Sequence, residues 1–522
     1  MFTSFNYKAP LLPEIFALHG KWRAGDVAVV CDDKRLTWRA FIDTNHRLAH
    51  GLLAAGFKPG DSLGVVMSNG IPMLQIMLAA MAMGVVTVPI NLSVNDKAMA
   101  NMLNDASVKG IVATVDQIAR LQTSAVIARI KHRFCDGKRE GWISLDELAD
   151  GQPATLPDIA IEEQAPLNII YSSGTTGLPK GIVHTHRGRR DWAYDLALAL
   201  RYHSHSRTLL TIGMYSNISW VGILCTLLGG GTLYIHKGFS QERFLETVDI
   251  ERITHAAMVP IQYQRVVERF QQSASDVSSL QALMSCGSPL HKDLKQEIFR
   301  IFDCGIIELY GLTEGVITTL DAEDAQGRWA SVGKPLLGTD IKILKEDDSE
   351  ASIGEAGEIV SRGRITMPGY LNRPDANKTA CFVDQQGLSW LRTGDVGYLD
   401  EDGYLFIVDR KKDMILSGGQ NIYPQDIESV LIEHEAINDV AVIAANSRRW
   451  GESPLALIVP QPGQAGDIET LDAEILMGWA NQRLGKQQRI VDAIWVDELP
   501  RNSNGKILKR ELRKHYSDRV YD

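Results

Sequence analysis

Cysteine is scarce: six residues in 522, at positions 31, 135, 225, 286, 304 and 381. They are widely separated and form no Cys-x-x-Cys pair. That spacing argues against a disulfide scaffold and against zinc ligation, and it predicts reduced thiols packed in the core. A long apolar run is also missing. The longest, Leu78 to Ile90 and Gly222 to Ile235, fall short of about 18 residues and carry polar or glycine breaks, so no integral membrane association is expected. The opening residues contain Lys8 and two prolines but no uninterrupted apolar stretch. No secretory leader is read there, and a cytoplasmic location is expected. Positive charge is not in excess: 54 Lys plus Arg against 64 Asp plus Glu give a net charge of −10. A general nucleic-acid or anionic-membrane binder is thereby excluded. What is present is ordinary for a globular chain, 45% hydrophobic and 23% charged, which excludes disorder and collagen-like structure. At about 150 residues per domain the length corresponds to roughly three or four folding units.

Apolar runs and amphipathic stretches alternate through the first 400 residues. Asp26 to Val30 and Leu36 read as a hairpin around the polar turn Cys31 to Arg35, and Thr37 to Phe57 as a helix. Ser62 to Met67 reads as a strand, Ile71 to Met83 as a helix and Val85 to Ile90 as a strand. Further strands are expected at Lys109 to Ala113, Asn168 to Tyr171, Thr208 to Ile212, Thr232 to His236 and Ala256 to Val259. This β-α-β alternation predicts an α/β fold with a parallel or mixed sheet covered by helices. After about Asp340 the texture becomes antiparallel, with strands at Ile341 to Lys345, Gly357 to Arg362 and Gly397 to Val408. Within the last, Asp400 to Gly403 is a turn signal. The charged run Asp409 to Asp413 then reads as a link into a small α+β unit. That unit has a helix from Pro424 to about Glu433, strands at Asp439 to Ala444 and Leu455 to Val459, a helix at Ile468 to Leu484 and a strand at Ile490 to Val496. A domain boundary is placed near Arg410 to Lys412.

The most informative segment is Tyr171-Ser-Ser-Gly-Thr-Thr-Gly-Leu-Pro-Lys-Gly181, following the apolar strand Leu167 to Ile170. Glycines let the backbone fold tightly and turn its N–H groups toward an anion. Hydroxyls add donors and Lys180 adds positive charge. It is not a Walker A loop, since GxxxxGK[ST] is absent and a proline precedes the lysine. This loop resembles the signature of the adenylate-forming superfamily of acyl-CoA synthetases, adenylation domains and firefly-type luciferases. Four further motifs resemble that family in order: Tyr310-Gly311-Leu312-Thr313-Glu314; Thr393-Gly394-Asp395; the hinge Asp409 to Asp413 with the loop Ser417 to Pro424 behind it; and Pro500 to Lys506. Together they span nearly the whole chain.

The resemblance implies a large N-terminal AMP-binding domain over residues 1–410. It would hold mixed sheets with helices plus a small β-barrel-like part, and a hinge would join it to a mobile α+β C-terminal domain over 411–522. It also implies a two-step reaction. A carboxylate attacks the α-phosphate of ATP, giving an acyl-adenylate and pyrophosphate; the thiol of coenzyme A then displaces AMP. Ser172, Ser173, Gly174, Thr175 and Thr176 with Lys180 would hold the β- and γ-phosphates, and Thr313 the α-phosphate. Glu314 would bind Mg²⁺, a hard cation suited to carboxylate and phosphate oxygens. Tyr310 with Gly311 would flank adenine, Gly287 would approach the adenine or acyl chain, Asp395 would accept both ribose hydroxyls, and Arg410 would assist at ribose or phosphate. Lys506 would bridge carboxylate and α-phosphate; its context also resembles sites acetylated in related enzymes. Lys412 would be the hinge about which the C-terminal domain presents either Lys506 or the Ser417, Gly418, Gly419 loop, the latter to coenzyme A.

Two stretches depart from the family pattern. Thr211 to Gly222 offers Tyr215, Ser216, Asn217 and Trp220 where many relatives carry a Pro-Leu-x-His gate. Tyr215, Asn217 and Trp220 are read as acyl-pocket residues, with a core role for Trp220 the alternative. Ser285 to Leu290 resembles a Gly-Gly-Ala-Pro-Leu segment with Cys286 and Ser288 substituted; Cys286 reads as a packed thiol and His186 as structural. The expected function is an acid–CoA ligase acting on a medium-chain fatty or aromatic acid. The alternatives are a stand-alone enzyme loading a carrier protein, a luciferase-like oxygenase and a non-catalytic relative. The oligomeric state stays open, with a homodimer the common outcome.

Overall fold

In a computed structural model, the structure describes residues 9–122, 127, 129–172, 179–417, 420–461, 473–486, 488–502 and 505–521. Two compact units emerge. The first comprises Met1–Asp340 with Arg362–Cys381, and the second Ile341–Ser361 with Phe382–Asp522. The antiparallel strands after Asp340, expected with the N-terminal domain, therefore group mainly with the C-terminal residues.

The first unit is built on two mixed sheets. A nine-stranded sheet runs Lys334–Pro335, Ile317–Leu320, Ile307–Gly311, Ala282–Ser285, His255–Met258, Arg207–Leu210, Thr232–Ile235, Val27–Cys31, Lys34–Thr37. Its interior pairings are parallel and its edges antiparallel. A seven-stranded sheet runs Ile143–Ser144, His132–Cys135, Gly110–Ala113, Ser62–Val66, Val86–Pro89, Pro166–Ser172, Lys180–Thr185. It is parallel except for the last pair. Each of the two longest apolar runs spans the end of a helix and the strand after it, Ile71–Ala82 with Val86–Pro89 and Asn217–Gly229 with Thr232–Ile235, and both helices are buried almost all round. A helix without a polar face belongs inside, and one apolar cluster takes in both helices together with Val65 of one sheet and Val29 and Leu210 of the other.

Among the described residues the expected elements are present, with boundaries shifted by a few residues; of the helix expected at Ile468 to Leu484, Ala473–Asn481 is seen and 468–472 lie outside the described residues. The first hairpin turns at Asp32 and Asp33, so Cys31 and Arg35 belong to strands rather than to the turn. The helix expected from Thr37 is Trp38–Ala54, with Thr37 as its cap: its hydroxyl accepts from the Ala40 N–H at 3.3 Å. Four cysteines are buried as expected, but Cys304 is half-buried and Cys381 exposed. Cys381 begins a short strand, Cys381–Val383, whose residues alternate toward solvent. No described helix is long and apolar enough to cross a membrane.

The second unit holds a five-stranded sheet (Thr339–Leu344, Gly357–Gly363, Ser389–Leu399, Cys381–Val383, with Leu405–Arg410 paired to Ser389–Leu399) and a six-stranded sheet centred on Ile437–Ser447 and Gly451–Pro460. The Asp400 to Gly403 turn joins Ser389–Leu399 to Leu405–Arg410 as expected, with the Asp400 carboxylate accepting from the Asp402 and Tyr404 N–H groups at 3.1 and 2.7 Å. Helices Pro424–Leu431 and Ala473–Asn481 cover the six-stranded sheet through a shared apolar cluster.

Candidate active site

The glycine-rich segment is carried on an antiparallel hairpin. Ser172 pairs with Lys180 and Tyr171 with Gly181. Ser173, Gly174, Thr175 and Thr176 lie outside the described residues. The base of the hairpin is tied down at Tyr171, whose hydroxyl donates to Asp105 at 2.8 Å, and Asp105 also pairs with Arg373 at 2.9 Å.

Lys180 is brought to a residue the sequence reading did not single out. Its ammonium lies 4.7 Å from the centre of the Tyr370 ring, and the Tyr370 hydroxyl donates to Glu314 Oε1 at 3.0 Å. Burial and the Glu314 charge push the Tyr370 phenol up, so it stays a donor at neutral pH. Tyr370 reaches this position because 369–371 adds along the strand after the loop: Leu371 N–H donates to Gly181 O at 2.8 Å and Val183 N–H to Gly369 O at 3.3 Å. Lys180, Tyr370 and Glu314, far apart in sequence, thus form one chain of cation, ring and carboxylate. A tyrosine after Pro-Gly carries no local signal of this role.

Tyr310, Gly311, Thr313 and Glu314 occupy the end of strand Ile307–Gly311 and the turn after it, closed by Leu312 N–H to Val316 O at 3.1 Å and Met367 N–H to Glu314 O at 2.8 Å. Ala282–Ser285 runs parallel beside that strand, with Ser285 opposite Glu308. Gly287 therefore follows the carboxyl end of the neighbouring strand, the end where open α/β sheets bind ligands. Its φ is 97°, a conformation that favours glycine. Cys286 is buried and its thiol is pushed up to about 12 by burial, which fits an inert packed thiol. Below the site, Lys295 and Glu308 form a buried ion pair, with the Lys295 ammonium also donating to Trp329 O at 2.6 Å.

Glu314 is a single carboxylate, and among the described residues no group of three or more His, Cys, Asp or Glu forms a cage. That donor set fits Mg²⁺, which keeps waters and takes one or two carboxylates with substrate phosphates. Glu314 would hold the ion, and the ion would neutralise phosphate charge.

The atypical 211–222 segment leads into helix Asn217–Gly229, capped by Ser216. Asn69 clamps it: its side chain accepts from the Met214 N–H at 2.8 Å and donates to Ile212 O at 3.0 Å. Tyr215 packs flat on Gly213, where an added Cβ would fall 2.2 Å from the ring. Asn217 is half-buried and Trp220 fully buried. His186 is buried and pushed down to about 4 by burial, consistent with a structural histidine.

In the second unit, Asp395 and Arg410 are cross-strand partners, paired at 3.0 Å, with Asp395 almost wholly buried. Thr393 fixes the backbone beside Asp395: its hydroxyl donates to Ile359 O at 2.7 Å and accepts from the Asp395 N–H at 3.0 Å. Lys506 belongs to the same group. Burial and the Arg410 and Lys412 charges push its amine down to about 7, against the pull of Asp395 and Asp413. Ser417 pairs with Gln420, and Gly418 and Gly419 lie outside the described residues.

The family model for AMP-binding enzymes matches residues 18–371, and that for the AMP-binding enzyme C-terminal domain matches 426–506. A feruloyl-CoA synthase from an Amycolatopsis species is 32% identical over 477 residues, covering 90% of this chain and 92% of its own. The long-chain-fatty-acid–CoA ligase FadD13 of Mycobacterium tuberculosis is 30% identical, with 94% of each chain covered. Among solved structures, the o-succinylbenzoate CoA synthetase of Bacillus subtilis with its acyl-adenylate intermediate superposes with a TM-score of 0.81 at 27% identity, covering 96% of this chain and 98% of that one. The chain belongs to the AMP-binding enzyme family, among its acyl- and aryl-CoA ligases.

Proposed function

We propose that the protein activates a medium-chain fatty or aromatic carboxylic acid as its acyl-adenylate and transfers the acyl group to coenzyme A. In the first step a carboxylate oxygen attacks the α-phosphorus and the bond to the β-phosphate bridge breaks, releasing pyrophosphate. In the second, the thiolate sulfur attacks the acyl carbonyl and AMP leaves with the former carboxylate oxygen. The first step drives one anion onto another, so alignment and charge neutralisation matter more than a general base. The observation that carries this reading is the Lys180–Tyr370–Glu314 chain, which sets a phosphate-binding cation and a metal-binding carboxylate against one ring.

On this reading Ser172 to Thr176 and Lys180 cradle the β- and γ-phosphates, Thr313 the α-phosphate, and Tyr310, Gly311 and Gly287 the adenine. Glu314 ligates Mg²⁺. Asp395 accepts from the ribose hydroxyls, held in place by its pairing with Arg410. Lys506 supplies charge in the adenylation transition state. Lys412 is the hinge between 1–410 and 411–522, and Ser417 to Gly419 face the pantetheine arm. Tyr215, Asn217 and Trp220 line the acyl pocket.

The test is pyrophosphate release with ATP and Mg²⁺ across short, medium and long fatty acids, benzoates and cinnamates, each with and without coenzyme A. Acid-dependent pyrophosphate with a CoA-dependent thioester is the expected result. Pyrophosphate without thioester would make a carrier protein the acceptor. No release with any acid, dicarboxylic acids included, would overturn the reading.

A further inference from the structure

One buried cation takes no part in the chemistry above. Arg189 stands in the first turn of helix His186–Ala199, within an Arg-Gly-Arg-Arg-Asp run whose charge pattern alone reads as a solvated face. It is instead 1% exposed. Its Nε donates to Asn168 Oδ1 at 3.2 Å and its Nη1 to Asn217 Oδ1 at 2.8 Å. The guanidinium lies 5.0 Å from the Trp192 ring and 5.4 Å from the Trp220 ring. All four neighbours are neutral. Among the described residues Nη2 is buried without an acceptor.

The acids nearby in sequence are already engaged. Asp191 pairs with Arg187 and Arg190, Glu163 with Arg190, and Asp195 with Arg364. Among the described residues no carboxylate pairs with Arg189. Its pKa, pushed down to about 9, responds to burial alone, with no neighbouring charge contributing. At neutral pH it is still a full cation, and a buried charge without a counter-ion is strongly disfavoured. The polar atoms around it carry the same signature. Among the described residues, Asn168 Nδ2 and Trp220 Nε1 are buried donors without acceptors. Unsatisfied buried donors are rare in native proteins and call for a partner. Donors gathered around a net positive charge match a planar oxyanion, whose two oxygens accept about four hydrogen bonds. Two of the surrounding residues, Asn217 and Trp220, are those assigned to the acyl pocket.

We propose that Arg189 receives the second carboxylate of a dicarboxylic acid substrate, with Asn168 and Trp220 completing its hydrogen bonds, while the other carboxyl group is adenylated. This rests on the ligase reading and on the acyl-pocket assignment above. The bound diacid supplies the missing counter-ion, so an acid ending in a methyl group leaves the guanidinium as unpaired as it is without substrate. A site built around buried polar groups rejects an analogue that cannot pair them far more strongly than an apolar pocket rejects a missing methylene.

The test compares matched acids of equal length, one and two carboxyl groups each, both aliphatic and aromatic, by kcat/KM for pyrophosphate release. The wild type should favour the diacid by at least about 10²-fold. Arg189→Met should collapse or invert that ratio, and Arg189→Lys should restore part of it. Should Arg189→Met not fold, the wild-type ratio and Arg189→Lys decide. Equal or better use of monoacids by the wild type would overturn the assignment while leaving the ligase reading intact. An unchanged ratio in Arg189→Met would do the same. Activation of no acid at all would overturn both.

Discussion

Removing the hydroxyl of Tyr370 takes one hydrogen bond from the Glu314 carboxylate and leaves the aromatic face that Lys180 approaches at 4.7 Å. Tyr370→Phe therefore separates the positioning of Glu314 from the ring contact. A hydrogen bond to a charged group contributes about 1.5–3 kcal/mol, and Glu314 is half-buried, so water recovers part of it. A net loss of about 1–2 kcal/mol converts, at 1.36 kcal/mol per decade, to roughly 5- to 30-fold. The loss should fall on kcat/KM for Mg·ATP in acid-dependent pyrophosphate release. Thioester formation from a supplied acyl-adenylate, which needs no β- or γ-phosphate, should stay within about twofold. Tyr370→Leu should cost a further factor of a few, since it also removes the cation–ring contact. An unchanged Mg·ATP dependence in Tyr370→Phe, or equal slowing of both half-reactions, would refute the positioning role.

Lys412→Pro restricts the proposed hinge and should slow one half-reaction by at least about tenfold while sparing the other; unchanged rates for both would remove the hinge assignment. Lys295→Met leaves Glu308 buried without its cation and should destabilise the first unit by about 3–5 kcal/mol, read as a lowered denaturant midpoint. With its amine at about 7, Lys506 should acetylate with acetic anhydride at a rate that rises through a midpoint near pH 7, where an ordinary lysine is only roughly one part in 10³ neutral. ATP, by adding negative charge, should raise that midpoint; a midpoint near 10 without ATP would contradict the crowded environment of Lys506.

The β-α-β alternation was readable because buried parallel strands are short apolar runs between helical periods, as at Ser62–Val66 and Val86–Pro89. Motifs held by local backbone geometry were readable for a similar reason: Thr313 and Glu314 sit on the turn closed between Leu312 and Val316, and Asp395 lies in strand Ser389–Leu399, its N–H held by the Thr393 hydroxyl two residues before it. Tyr370 and Arg189 were not, because their roles come from pairings distant in sequence. Tyr370 depends on segment 369–371 joining strand Lys180–Thr185. Arg189 depends on which face of a highly charged helix turns inward, and its neighbours Arg187 and Arg190 carry ion pairs of the usual kind. The grouping of the five-stranded sheet with the C-terminal residues was hidden likewise. Local pattern marks Gly357 to Arg362 as a strand but not the unit whose contacts it shares.

The central claim is that one chain performs adenylation and thioester formation with separable residues. Lys506→Ala, assayed in both half-reactions, tests it most directly. Acid-dependent pyrophosphate release should fall by at least about 10²-fold, the scale of losing one preorganised charge in a transition state. Conversion of a supplied acyl-adenylate and coenzyme A to thioester and AMP should persist at near wild-type rate. Pyrophosphate release surviving the substitution, or loss of both half-reactions together in a folded variant, would contradict the account.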